Sequence, residues 1–250
     1  MPEVEIMGVK THYEKYGDKG DKVLLLHGWG QNTEMMAFIG EHLKNNFEVY
    51  NIDFPGFGKS AEPPYAWDVE EHTEYIHEFC KTFDIEKPVI IAHSYGCRIA
   101  QVYASRYPVE KMVLTGAAGV RDKRTAGWYI RTYTYKLGKK ILSIPFLKPL
   151  KEKMEKNAGS EDYRNASGVM RQILVKAVNY DTSDILPLIK CETLLVFGEN
   201  DDQTPLSKGK YMEEHMPDAG LAVFENDDHF AYFHQPQRFN AVLDAFLLRK

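Results

Sequence analysis

The stretch PVIIAHSYGCRIAQVYASRY, residues 88–107, changes its periodicity partway along. Val89, Ile90 and Ile91 are continuous, apolar and β-branched, the pattern of a strand covered on both faces. After Ala92-His93-Ser94-Tyr95-Gly96 the spacing becomes helical, with Ile99, Val102 and Tyr103 at i, i+3 and i+4. A buried parallel strand that turns sharply into a helix with serine at the apex is a nucleophile elbow. Such a turn lifts the Ser94 hydroxyl above the sheet edge. It also sets the Tyr95 backbone N–H, at the helix start, where an oxyanion can form. The turn strains the serine backbone, and only small residues two before and two after it avoid a clash. Gly96 meets the second requirement. Ala92 stands where glycine is usual and keeps the side chain small.

Outward from this stretch, the 250 residues are of a length that α/β folds often build as one domain. With 44% hydrophobic and 27% charged residues, neither disorder nor a fibrous repeat is expected. No apolar run approaches the ~18 residues that span a bilayer. MPEVEIMGVKTHY has no basic region followed by an apolar one, so no secretory signal is read there. Cys80, Cys97 and Cys191 give neither a disulfide framework nor a metal-ligand spacing, and a cytoplasmic location is expected. A net charge of −5 argues against nucleic-acid binding. The charge is uneven. Residues 120–185 hold fourteen Lys/Arg against seven Asp/Glu, +7, whereas the rest of the chain holds seventeen against twenty-nine, −12.

Strands are read at Glu3 to Met7, Thr11 to Tyr16, Lys22 to Leu26, Phe47 to Ile52, the elbow strand, Lys111 to Thr115, Thr193 to Phe197 and Leu221 to Phe224. Thr33 is expected to cap one helix and Asp68 another, which carries Val69, Ile76, Phe79, Cys80 and Phe83 as its apolar stripe. A further helix is read from about Pro205 to Met216. The last helix shows Phe239, Val242, Leu243, Phe246 and Leu247 on one face. Strands alternating with helices predict a mostly parallel sheet covered on both faces, with its site at the carboxyl ends of the strands. The glycine-rich loop at 53–60 fits neither phosphate-binding pattern.

A serine nucleophile needs a base and an acid to orient that base. His229, in Asn226-Asp-Asp-His-Phe230, follows the strand ending at Phe224, and Asp201 follows Phe197 closely. The order Ser94, Asp201, His229 is that of a hydrolase with this topology. Asp202 is the competing acid. Asp227 and Asp228 read as turn residues, His27 as ordering its loop, His93 as a buried neighbour of the elbow, His234 as a surface residue and Cys97 as packing. Arg98, four residues past Ser94, either forms a salt bridge within the fold or binds a substrate carboxylate.

The segments HGWG (27–30), DFPGFGKS (53–60), AHSYG (92–96), GENDDQTP (198–205) and DHFAYFHQP (228–236) together resemble the α/β-hydrolase superfamily over essentially the full length. The resemblance implies an eight-stranded α/β-hydrolase core, 1–119 and 186–250, with a helical cap inserted at 120–185. It puts the family's acid on Asp201, with Pro205 in register, and the second oxyanion donor on the Trp29 N–H beside that of Tyr95. Asp228 stands where the family has glycine, either raising the basicity of His229 or pointing to solvent. The expected activity is hydrolysis of carboxylic esters through an acyl-enzyme. No metal or organic cofactor is implied, and carbon–carbon bond hydrolysis or a related lyase reaction on the same triad, or a non-catalytic ligand-binding protein, are the rivals. Trp29, Tyr95, Arg98, Trp128 and Phe230 are the candidate substrate-binding residues. The basic, aromatic insert either is an ordinary lid or attracts an anionic substrate, an acidic carrier protein or a membrane surface. HGWG is also similar, locally, to methyl ester esterases that act on carrier-bound pimeloyl chains.

Overall fold

Side chains of alternate residues in the central strands enter two separate apolar layers, and this alternation organises the molecule. The computed structural model describes residues 2–121, 127, 133–134, 137 and 160–248. Its strands are β1 (Glu3–Ile6), β2 (Val9–Tyr16), β3 (Lys22–Leu26), β4 (Glu48–Ile52), β5 (Val89–His93), β6 (Lys111–Thr115), β7 (Glu192–Gly198) and β8 (Ala219–Phe224). They form one sheet in the order β1-β2-β4-β3-β5-β6-β7-β8, with β1 and β2 antiparallel and the rest parallel. The described helices are α1 (Ala37–Leu43), α2 (Val69–Thr82), α3 (Tyr95–Ala104), α4 (Glu161–Asn165), α5 (Gly168–Asn179), α6 (Leu206–His215), α7 (Ala231–His234) and α8 (Pro236–Leu247).

Leu24, Leu26, Ile90 and Ala92 belong to one layer with Ile76 and Phe79 of α2 and Ile99 and Val102 of α3. Val23, Leu25, Val89 and Ile91 point the other way and join Ile39 and Leu43 of α1 and Phe239 and Leu243 of α8. Successive strand residues alternate faces, so a strand apolar throughout must be covered on both sides. That is why the uninterrupted run at 89–91 specifies a central strand.

Two boundary expectations are corrected. Thr33 does not cap the first helix. Asn32 accepts from the Glu34 N–H at 2.8 Å and starts a 3-10 turn over Thr33–Met36, while the Thr33 N–H donates to Asp53 Oδ1 at 2.7 Å. Phe47 is not in β4, because its N–H closes the end of α1 on the Leu43 carbonyl at 3.0 Å. The Asp68 expectation holds as a full capping box: Glu71 N–H donates to Asp68 Oδ1 at 3.0 Å and Asp68 N–H donates to Glu71 Oε2 at 2.7 Å. Among the described residues no helix is long and apolar enough to cross a membrane.

Between residues 120 and 188, α4, α5 and a 3-10 turn over Ser183–Leu188 are described. Ile173 and Leu174 of α5 are buried, and Ala177 joins the layer above β5 and β6. Trp128, Tyr129, Arg131, Lys136, Lys139, Lys140 and Phe146 lie outside the described residues.

Candidate active site

The elbow forms where β5 can go no further. Ser94 takes φ 47° and ψ −106°, a backbone state that non-glycine residues rarely adopt, and α3 starts at the next residue. Two neighbours hold it there. Ser94 N–H donates to the Thr115 carbonyl of β6 at 3.1 Å, and Cys97 N–H donates to the Ser94 carbonyl at 3.1 Å. Gly96 explains the small-residue rule in atomic terms: a Cβ at this position would sit 2.3 Å from the Leu26 carbonyl oxygen and 2.8 Å from that of His27. The start of α3 is thus pressed against the end of β3. Ala92, fully buried, fits the other small position.

The same close approach brings the HGWG loop to the elbow. His27 is fully buried, donates from Nδ1 to the Gly28 carbonyl at 2.7 Å and accepts the Phe54 N–H on Nε2 at 3.0 Å. Burial lowers its pKa to about 4, so the ring is a neutral tie between two loops, as its expected ordering role requires. The 53–60 loop is tied by its own first residue. Asp53 accepts from His12 Nδ1 at 2.8 Å and from the Lys59 N–H at 2.9 Å, and Ser60 Oγ donates to the Asp53 carbonyl at 2.7 Å. Trp29 stacks edge-on against Tyr95, 5.4 Å between centroids, and against Phe57, 4.8 Å. Tyr95 is 3% exposed and packs on Phe54 and His72, so its side chain is largely core, whereas half-buried Trp29 walls the cleft.

Asp201 and His229 come from loops after β7 and β8, at the carboxyl-end edge of the sheet from which Ser94 also rises. His229 Nδ1 lies 2.8 Å from Asp201 Oδ2, with His229 3% and Asp201 4% exposed. Gly198 lets these loops touch, since a Cβ there would sit 2.1 Å from the Asp228 carbonyl oxygen. Asp201 Oδ1 accepts the Gln203 N–H at 2.9 Å and the Thr204 N–H at 2.8 Å, and Oδ2 also accepts the Thr204 hydroxyl at 2.7 Å. Burial alone would raise the Asp201 pKa. The hydrogen bond to His229, its charge and the Thr204 bonds outweigh burial and lower it. Asp202 is exposed.

His93 lies beneath, fully buried, its ring 4.8 Å from that of His229 and its Nδ1 3.1 Å from the Thr115 carbonyl. Burial, then the neighbouring His229 charge, holds its pKa well below the usual histidine range. Asp228 points outward: its side chain is 56% exposed, and it accepts the Phe230 N–H at 2.9 Å. Of the two readings offered for it, solvent is the one observed. His234 is 47% exposed and pairs with Asp227 at 2.8 Å. Cys97 is buried with Sγ 3.2 Å from the Ala92 carbonyl, and burial pushes its thiol up, consistent with packing.

Ser94, Trp29, Tyr95, Thr204 and Arg98 line one cavity of about 1000 Å³. Phe230 does not. It lines an adjoining cavity of about 600 Å³ with Phe57 and Met170, and Trp29 and Asp162 border both. Trp128 falls outside the described residues. Two residues of this site escape a reading of the sequence. Thr204 is signalled only by its place before Pro205. Asp162 of α4, whose pKa is raised by burial and by Glu161 and lowered by the charge of His229, has no motif at all.

The alpha/beta hydrolase fold family model matches residues 21–236, and the chain belongs to that family. Among named relatives, it is 25% identical over 253 residues to pimeloyl-[acyl-carrier protein] methyl ester esterase of Chromobacterium violaceum, covering 92% of this chain and 95% of that one. The solved structure of a meta-cleavage product hydrolase from Pseudomonas fluorescens is similar with TM-score 0.75 and 26% identity, covering 99% of this chain and 97% of that one. An esterase from Exiguobacterium antarcticum shares the fold with TM-score 0.77 at 22% identity, covering 99% of both chains.

Proposed function

We propose that the protein is a serine esterase that cleaves carboxylic esters through an acyl-enzyme. The observation that carries this reading is the buried Asp201–His229 pair, 2.8 Å apart, in the chain order that ends a hydrolase triad begun by Ser94 at a strained elbow. His229 takes the Ser94 proton on Nε2 as the hydroxyl attacks the carbonyl. Asp201 holds Nδ1–H, fixes the tautomer and stabilises the imidazolium. The backbone N–H groups of Trp29 and Tyr95 receive the oxyanion. His229 then protonates the leaving alcohol and activates water against the acyl-enzyme.

The family and its named esterase relatives support hydrolysis of esters. The chain divides, in this reading, into a core of residues 1–119 and 186–250 and a cap of 120–185, supported by α5 bordering the Ser94 cavity through Leu174 and Ala177. The three cysteines are free thiols, which fits a cytoplasmic location. A second reading, carbon–carbon bond hydrolysis, is favoured only by the likeness to the meta-cleavage product hydrolase.

Fluorophosphonate labelling of the wild type and of Ser94→Ala tests the nucleophile, and p-nitrophenyl esters assayed beside vinylogous diketones separate the two reactions. Ser94→Ala is expected to abolish labelling and to lower kcat by about 10⁴- to 10⁶-fold. A variant that keeps a tenth of the activity removes Ser94 from the role.

A further inference from the structure

Arg98 lies one helical turn beyond Ser94 on α3 and is 8% exposed. Its expected salt bridge within the fold is not found: among the described residues no carboxylate lies within salt-bridge distance, Asp181 acting on it only from further away, and its buried Nε has no hydrogen-bond partner. The side chain nevertheless borders the cavity that holds Ser94. A guanidinium removed from water without a counter-charge is costly, and such groups are ordinarily paired. Burial lowers its pKa only to about 10, so it stays a cation at neutral pH.

Geometry directs that cation toward the reaction centre. Four helical residues advance about 6 Å along the axis, and helical side chains lean back toward the N-terminus, which here is the Ser94 end. The other described charges on the cavity wall are Arg121, Lys208 and Asp162, so cations outnumber carboxylates three to one. Arg121 is turned to the backbone, donating from Nη1 to the Asn179 carbonyl at 2.8 Å. A planar guanidinium fork matches a carboxylate in bidentate fashion, with geometry a neutral group cannot supply.

We propose that Arg98 is a carboxylate-binding residue of the Ser94 cavity, so that the substrate is an ester bearing a second, ionised carboxylate a short chain away from the scissile bond. This rests on the esterase reading and adds the chemical class of its substrate. The carboxylate supplies the counter-charge that no described residue provides at salt-bridge distance and fixes the ester carbonyl relative to Ser94.

Two measurements test it. Glutarate, its neutral diamide and inorganic phosphate are titrated by calorimetry into the wild type, Arg98→Gln and Arg98→Lys. In parallel, kcat/KM is compared for mono-p-nitrophenyl glutarate and the neutral p-nitrophenyl valerate. The wild type binds glutarate in preference to the diamide, and Arg98→Gln weakens that binding about ten- to a hundredfold, the loss of a charge-assisted pair. The same variant lowers kcat/KM for the anionic ester about ten- to a hundredfold more than for the neutral one, and Arg98→Lys recovers part of the difference. Equal losses on the two esters overturn the assignment, as does phosphate binding as tightly as glutarate. If Arg98→Gln does not fold, the wild-type preference for glutarate over the diamide decides, and its absence overturns the proposal. Should the wild type cleave neither ester, the esterase reading fails while calorimetry still reports on Arg98.

Discussion

The Thr204 hydroxyl lies 3.1 Å from His229 Nδ1 and donates to Asp201 Oδ2 at 2.7 Å, so one buried threonine touches both members of the acid–base pair. It fixes the carboxylate that fixes the imidazole. Thr204→Val, which keeps the shape and removes the hydroxyl, is expected to lower kcat by about tenfold, the scale of one lost hydrogen bond to a charged group. Thr204→Ser should restore most of it. Steady-state kinetics on both variants check this, and a valine variant as active as wild type leaves Thr204 with a packing role alone.

Asp201 and Asp202 are adjacent yet differ in environment, one buried against His229 and the other exposed. Asp201→Asn is expected to cost about 10⁴-fold in kcat, because the amide favours the wrong imidazole tautomer. Asp202→Asn should change kcat less than about tenfold. Reversed effects in the two assays would place the acid one residue later.

Buried neutral histidines make stability depend on pH. Burial lowers both His27 and His72 to about 4 in the folded state, against about 6.5 when unfolded. Between those values the unfolded chain binds more protons, so stability rises with pH. The contribution is fully present above about pH 6.5, falls as pH drops and is gone below about 4, and is on the order of 3 kcal/mol for each ring. Urea midpoints measured from pH 7 to pH 4 should therefore fall, and His72→Phe should flatten the slope. An unchanged slope in that variant would remove His72 from the account.

Gly96→Ala should damage both stability and activity. The added methyl meets backbone carbonyls of Leu26 and His27, which cannot rotate away. Overpacking of this kind costs roughly 1–3 kcal/mol, or several degrees in Tm for a chain of this size. The displaced elbow should also lower kcat. Differential scanning calorimetry and an ester assay read the two effects, and a variant matching wild type in both would mean that β3 and α3 are less tightly apposed.

Much of the fold is written in local pattern. The apolar run at 89–91 predicts a strand covered on both faces because side chains alternate, and the two apolar layers divide Val89 and Ile91 from Ile90. Asp68 is legible as a cap because it directly precedes an apolar helical stripe, and in the structure Glu71, three residues on, completes the capping box. One missed boundary has a long-range cause. Thr33 is an acceptable cap in isolation, but Asp53, twenty residues on, claims its N–H and leaves the cap to Asn32.

By itself, then, the sequence determined the strand–helix alternation, the elbow at Ser94 and the order of Ser94, Asp201 and His229, because each rests on residues close in the chain or on motifs at fixed spacing. The tertiary structure alone decided which polar groups acquire partners distant in the chain. Thr204 reaches His229 across twenty-five residues. His27 becomes a neutral tie to Phe54. Asp228 turns outward rather than toward the base beside it. Arg98, which could have been neutralised within the fold, is buried beside Ser94 without a described counter-ion. Hydrogen bonds and ion pairs act over a few ångströms of space, and only the folded chain sets which distant residues come that close.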